Sequence, residues 1–301
     1  MSSWNRYIKD FVSYLKIEKG LAENSVQAYT DDVIKLKDFA EVQSVLPEAI
    51  SLQFLQQFIL ELYDLGLSAR SQARIISGIK QFFTFLVIDD IIETDPSELL
   101  ELPRIGRKLP EVLTIEEIDL IIQSIDLSSN EGHRNKAIIE TLYSCGLRVS
   151  ELVNLRFEEL FFNEGFIRVI GKGNKQRLVP VSPSVEKEVG IYVDNYRRHQ
   201  SIKPGNESYV FLNRRGAKLT RVMIFTIVKQ LVEIAGIRKN VSPHTFRHSF
   251  ATHMLEGGAN LRAIQEMLGH ESITTTEIYT HLDQHFIQEA IISFHPRNKK
   301  D

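Results

Sequence analysis

Apolar residues recur every three or four positions through most of the chain, with glycine, proline or capping residues between the runs. Residues 3–17 carry Trp4, Ile8, Phe11 and Leu15 on one stripe, which predicts an amphipathic helix. A second stripe, Val26, Tyr29, Val33, Leu36 and Phe39, has Asn24 and Ser25 as its expected cap. The third runs through Leu52, Leu55, Phe58, Ile59 and Leu62 to Gly66, and the fourth opens at Ser68 and holds Ile75, Ile76, Ile79, Phe82, Phe83 and Leu86. Such helices make a small all-helical domain, placed at residues 1–95. Pro96, Pro103, Gly106 and Pro110 then break the periodicity, so residues 96–110 read as a linker. A capping box, Thr114 with Glu117, starts a second domain over 111–301.

Helical periodicity resumes over 134–145 and stops at Gly146, and Ser150 with Glu151 is expected to open another helix. The period drops to two in Phe166–Ile170 and Arg177–Val181, around a glycine-rich tip, Gly171 to Lys175: a β-hairpin. Further helices are expected at 184–199 and 220–235, with Tyr209–Leu212 either a buried strand or extended chain. Ser242 and Pro243 suit the cap and first position of a helix, and Asn260 and Gly269 bracket another. The terminal segment is apolar at positions 286, 287, 290, 291 and 294. The fold class is therefore mainly α with a small β-hairpin in the second domain.

Composition bounds the classes. The 301 residues, 43% hydrophobic, supply enough apolar material for two cores. No apolar run reaches the length of a membrane span, and a single cysteine excludes an intrachain disulfide; a cytoplasmic protein is expected, with no membrane partner. The net charge of −3 suits nucleic acid poorly, but it is unevenly spread. Residues 1–103 hold 9 Lys/Arg against 16 Asp/Glu, and residues 104–301 hold 27 against 23. A polyanion responds to local basic surface, so the second part is where it would bind.

Candidate chemistry concentrates between Ser242 and Tyr279. His244 and Arg247 lie three apart at a helix N-terminus, where backbone N–H groups and the dipole favour an anion. His270 follows Gly269, and Tyr279 is a candidate nucleophile on a short helix expected over 273–282. Each residue has a plainer explanation singly: a cap, a helix bridge, a half-buried tyrosine. Arg148, in the joint between two apolar helix ends, needs either an anion or a partner, and Glu151 offers a local ion pair; both readings stand at this point. Glycine on both sides of Lys172 frees that side chain to approach a backbone closely. Arg70, Arg74, Ser77 and Lys80 on the fourth helix form either a solvated face or phosphate contacts. Arg104, Arg107 and Lys108 in the linker, Lys175 at the hairpin tip, and Arg214, Arg215 and Arg221 complete the basic candidates.

The strings Gly-Leu-Arg148-Val-Ser-Glu151-Leu, Gly-Lys172-Gly, His244-Thr-Phe-Arg247-His, Leu-Gly-His270 and Tyr279-Thr-His resemble, in type and order, the motifs of the tyrosine site-specific recombinases. The compact length and the terminal His295-Pro-Arg resemble the Xer group of chromosome-dimer resolvases. The resemblance implies a two-domain, C-shaped clamp: an amino-terminal core-binding domain of the SAM-like type and a catalytic domain. It implies that Tyr279 attacks a phosphodiester to give a 3′-phosphotyrosyl link and a free 5′-hydroxyl, with no ATP, metal or cofactor. Arg148 and Arg247 would clamp the phosphoryl oxygens, His244 and His270 would add hydrogen bonds and proton handling, Lys172 would be general acid, and Glu151 would orient Arg148. The implied partners are a duplex recombination site, a homo- or hetero-tetramer with a related recombinase on two duplexes, and the septal DNA translocase. A mobile-element integrase or invertase is the alternative, and a catalytically dead DNA-binding regulator a third. The terminal helix is expected to dock in a neighbouring protomer.

Overall fold

The computed structural model describes residues 3–104, 111–171, 175–269 and 281–298, with side chains from 288 onward in the last segment. The chain divides into two compact units, Met1–Lys108 and Leu109–Asp301.

The first unit holds α1 (Ser3–Ile17), α2 (Glu23–Val42), α3 (Leu52–Asp64) and α4 (Ala69–Ile88). The apolar stripes become one core in which Phe82 of α4 stacks on Trp4 and meets Phe11 edge-on, at centroid distances of 6.0 and 5.3 Å. Ser51 and Ser68 cap α3 and α4 by accepting from the Phe54 and Ser71 N–H groups, each at 3.2 Å. The cap of α2 differs from expectation. The helix starts at Glu23, behind Ala22, so Asn24 and Ser25 lie inside its first turn. The Ala22 carbonyl takes the Ser25 and Val26 N–H groups, and Glu23 complements the dipole. Leu100 packs into this core, so the ordered chain of the first unit runs beyond residue 95.

The second unit begins with α5 (Ile115–Gln123), set by the Thr114–Glu117 capping box, whose bonds measure 3.2 and 2.8 Å. The buried helix α6 (Asn130–Ser144) starts four residues earlier than its periodicity suggests, because Ser129 caps a polar first turn. After α7 (Val149–Asn154) comes an antiparallel sheet of β1 (Leu160–Phe161), β2 (Phe166–Ile170) and β3 (Gln176–Pro180), in that order. Strand β1 is too short to carry a period, and β3 sits one residue earlier than expected because Ile170 pairs with Gln176. The helices α8 (Pro183–Asn195), α9 (Arg221–Ile234), α10 (Pro243–Gly257), α11 (Leu261–Leu268) and α12 (His281–Phe294) follow. Tyr209–Leu212 is extended chain, touching Arg156 and Lys218 through single bridges. The α12 helix buries Ala290 and Ile291 in its own unit's core and packs Phe294 against it, so these positions of the expected docking stripe are met within the chain; the side chains of Phe286 and Ile287 lie outside the described residues. As in the tight helix contact that glycine permits, a Cβ at Gly257 would stand 2.6 Å from the Phe294 carbonyl.

Candidate active site

Arg148 is the last extended residue before α7, at φ −70° and ψ 148°. Ser150, the expected cap, is inside the helix. The N3 carboxylate of Glu151 does the capping instead, accepting the Arg148 N–H at 2.8 Å and its Nη1 at 2.9 Å. The other end of the same guanidinium donates from Nη2 to the Gly269 carbonyl at 3.0 Å. The structure shows the ion pair, and the guanidinium that it fixes remains a third exposed.

Arg247 lies one turn into α10. Pro243 takes the first position and the Ser242 N–H donates to Thr245 Oγ1 at 3.0 Å. The Arg247 side chain is buried, with Nη1 on the Gly146 carbonyl at 2.7 Å and Nη2 on the Leu268 carbonyl at 2.5 Å. Gly146 presents that carbonyl from φ +57°, where a Cβ would stand 2.6 Å from the Phe250 ring. Burial, and then the Arg148 charge, push the Arg247 pKa down to about 10, so it stays cationic at neutral pH. His244 is exposed on the same helix; partial burial and then the Arg247, His248 and Arg148 charges hold it below the usual histidine range. A neutral imidazole can accept as well as donate.

A third arginine joins them. Arg177 on β3 is buried, grips both Glu151 oxygens at 2.7 and 2.9 Å, and donates Nε to the Met267 carbonyl at 2.8 Å. The strand alternation places Arg177 on the core face with Val179, a signal that it needs a buried carboxylate; nothing in its local sequence says which one. The last carbonyls of α11 thus each receive a guanidinium: Met267 from Arg177, Leu268 from Arg247 and Gly269 from Arg148. The negative end of the helix dipole holds the three cations together. Among the described residues, Glu151 is the one carboxylate bonded inside this group, which keeps a positive excess suited to a phosphodiester.

Lys172, His270 and Tyr279 lie outside the described residues, as do the linker residues Arg107 and Lys108. Of the basic candidates, Arg70, Arg104, Lys175, Arg214, Arg215 and Arg221 are exposed. Arg74 is engaged at home, with Nη1 on the fully buried Asp32 at 2.6 Å. Ser77 donates to the Ala73 carbonyl and Lys80 to that of Glu98.

Residues 111–285 match the phage integrase family, and residues 8–89 match the phage integrase N-terminal SAM-like domain. The tyrosine recombinase XerD of Staphylococcus epidermidis is 41% identical over 97% of this chain and 99% of its own. Its namesake from Chlorobaculum tepidum is 42% identical over 98% and 97%. The XerH site-specific recombinase, in a pre-cleavage complex with its difH substrate, shares the fold at a TM-score of 0.69, 22% identity and coverage of 88% and 89%.

Proposed function

The chain belongs to the phage integrase family and is a tyrosine recombinase, and from that premise we propose that the arginine cluster clamps a DNA phosphate for attack by Tyr279. In the first step the Tyr279 oxygen bonds to phosphorus as the bond from phosphorus to the 5′-oxygen breaks. The phenolic proton leaves and the departing 5′-oxygen takes one up, leaving a 3′-phosphotyrosyl link. The reverse reaction with a 5′-hydroxyl from another strand completes exchange without an energy source. A free phenol titrates near ~10, so its proton must be lost to a base as attack proceeds.

Arg148 and Arg247 face charge that gathers on the non-bridging oxygens. His244 and His270 hydrogen-bond the same group, Lys172 protonates the leaving oxygen, and Glu151 orients Arg148. The observation that carries this reading is the seating of Arg148 and Arg247 on adjacent carbonyls, Gly269 and Leu268, with Glu151 fixing the first. The XerD relatives support a role in resolving chromosome dimers. On two duplexes the protein would act in a tetramer, with itself or with a related recombinase, under the control of a septal DNA translocase.

The test uses a duplex selected by the protein from random sequence, then nicked near the scissile position so that the cut fragment diffuses away. Wild type should accumulate a covalent protein–DNA adduct that survives denaturation. Loss of the adduct in Tyr279→Phe supports the assignment; absence of any wild-type adduct on a tightly bound duplex overturns it.

A further inference from the structure

Two of the three guanidiniums on the α11 terminus belong to the clamp just proposed, and the inference here rests on that reading. The third, Arg177, is 6% exposed and already holds Glu151 and the Met267 carbonyl with all three of its nitrogens. Burying a guanidinium is costly unless its bonds are well made, so its place beside the site calls for an explanation. Arg148 is anchored at two points, the Glu151 carboxylate and the Gly269 carbonyl. Arg177 supports both. It fixes Glu151 by a two-pronged grip on Oε1 and Oε2. It also lies along the turn at Gly269, where a Cβ would stand 3.1 Å from its Cδ; the glycine, at φ +64°, leaves room for the arginine stem. Gly171, next to Lys172 in sequence, is part of the same packing: a Cβ there would lie 3.6 Å from Arg177 Nη1.

We propose that Arg177 is a positioning residue for strand cleavage: it sets the orientation in which Arg148 meets the phosphate, by holding Glu151 and the end of α11 in one fork. Lysine cannot do the same, because a single ammonium cannot span two carboxylate oxygens and a carbonyl beyond them. The charged groups acting on Glu151 among the described residues are Arg177 from β3, Arg148 at the start of α7 and Arg247 from α10. Burial opposes the Glu151 charge, and the Arg177 fork is the foremost influence keeping its pKa below the usual carboxylate range. Without Arg177 that carboxyl takes up a proton at higher pH and releases Arg148.

The experiment measures single-turnover adduct formation on the nicked duplex for wild type, Arg177→Lys and Arg177→Met, alongside duplex affinity. Adduct formation should slow by about 10-fold in the lysine variant and about 100-fold in the methionine variant, with affinity within about threefold of wild type. The acid limb of the rate profile should move to higher pH in Arg177→Met and vanish in Glu151→Gln. A duplex with sulfur in place of the scissile 5′-oxygen needs no leaving-group protonation, and on it the Arg177 defect should persist. If Arg177→Met does not fold, Arg177→Lys carries the test, since it keeps the charge and loses only the fork. Rates within about threefold of wild type and an unmoved acid limb overturn the proposal. So does full recovery on the sulfur duplex, which would place Arg177 in leaving-group protonation. Should wild type itself form no adduct, the failure lies in the functional reading and not in the role of Arg177.

Discussion

At the scale of single residues, the arginines differ in what they can give up. Arg247 spends two nitrogens on the Gly146 and Leu268 carbonyls and is buried, whereas Arg148 keeps a third of its side chain in solvent. Arg247 remains charged at neutral pH, and at both positions a planar fork holds its backbone carbonyl while keeping further N–H groups in fixed directions for a phosphoryl oxygen, a geometry that a lysine ammonium does not reproduce. Lysine at either position should therefore lower the adduct-forming rate about 100-fold, while affinity for the duplex changes little. A binding titration beside a single-turnover time course checks both halves. Much of this site is legible in the sequence: the motif order points to Arg148, Arg247 and Glu151 without coordinates. Arg177 is legible only in part. Its alternation with Val179 marks a buried arginine, but its carboxylate lies 26 positions away on another element. A pairing of that separation is set by tertiary packing.

At the scale of elements, caps and stripes are read most easily because they are local. Ser51, Ser68, Thr114, Asn260 and Gly269 all act where their residue types suggest. Local patterns and structure part where another group takes over the capping role: the Ala22 backbone carbonyl at α2, and at α7 the Glu151 carboxylate in place of the Ser150 hydroxyl. The α4 basic face is the sharpest case. Periodicity points Arg74 outward, yet its guanidinium turns back to Asp32 on α2, over Gly78, where a Cβ would stand 2.9 Å from the carboxylate. Burial raises the Asp32 pKa against the pull of Arg74 and Lys35. A carboxyl whose folded pKa is raised favours folding below its unfolded value and loses that contribution as pH rises through the folded one. At pH 7, then, Arg74→Ala should destabilise the first unit by about 2 kcal/mol, less than a fully buried pair because Arg74 is half exposed. In an Asp32→Asn background the same substitution should cost almost nothing. Urea midpoints of the four proteins close this cycle. DNA affinity in the double variant then reports any phosphate contact by Arg74, free of the stability effect.

At the scale of the whole molecule, the net charge of −3 conceals a first part that is acidic and a second that is basic. The described end of the chain ties back to its own unit. The fully buried His295 packs against Tyr143 and Phe250, and the Arg297 guanidinium reaches Asp119 and Glu140. Any exchange of the terminal helix between protomers must first open this latch. Burial lowers the His295 pKa to about 3, so the unfolded chain binds a proton that the folded chain refuses. The resulting stability is present above about 6.5, the unfolded value, and is lost as pH falls towards 3. Denaturation between pH 7.5 and 4.5 should show this loss in wild type, and His295→Gln should flatten that part of the slope.

The most direct measurement of the central claim is the identity of the residue joined to DNA. Digestion of the covalent adduct and mass spectrometry of the DNA-linked peptide should place the phosphodiester on Tyr279, with no adduct from Tyr279→Phe. An adduct mapped to any other side chain, or one that persists in Tyr279→Phe, would contradict the account.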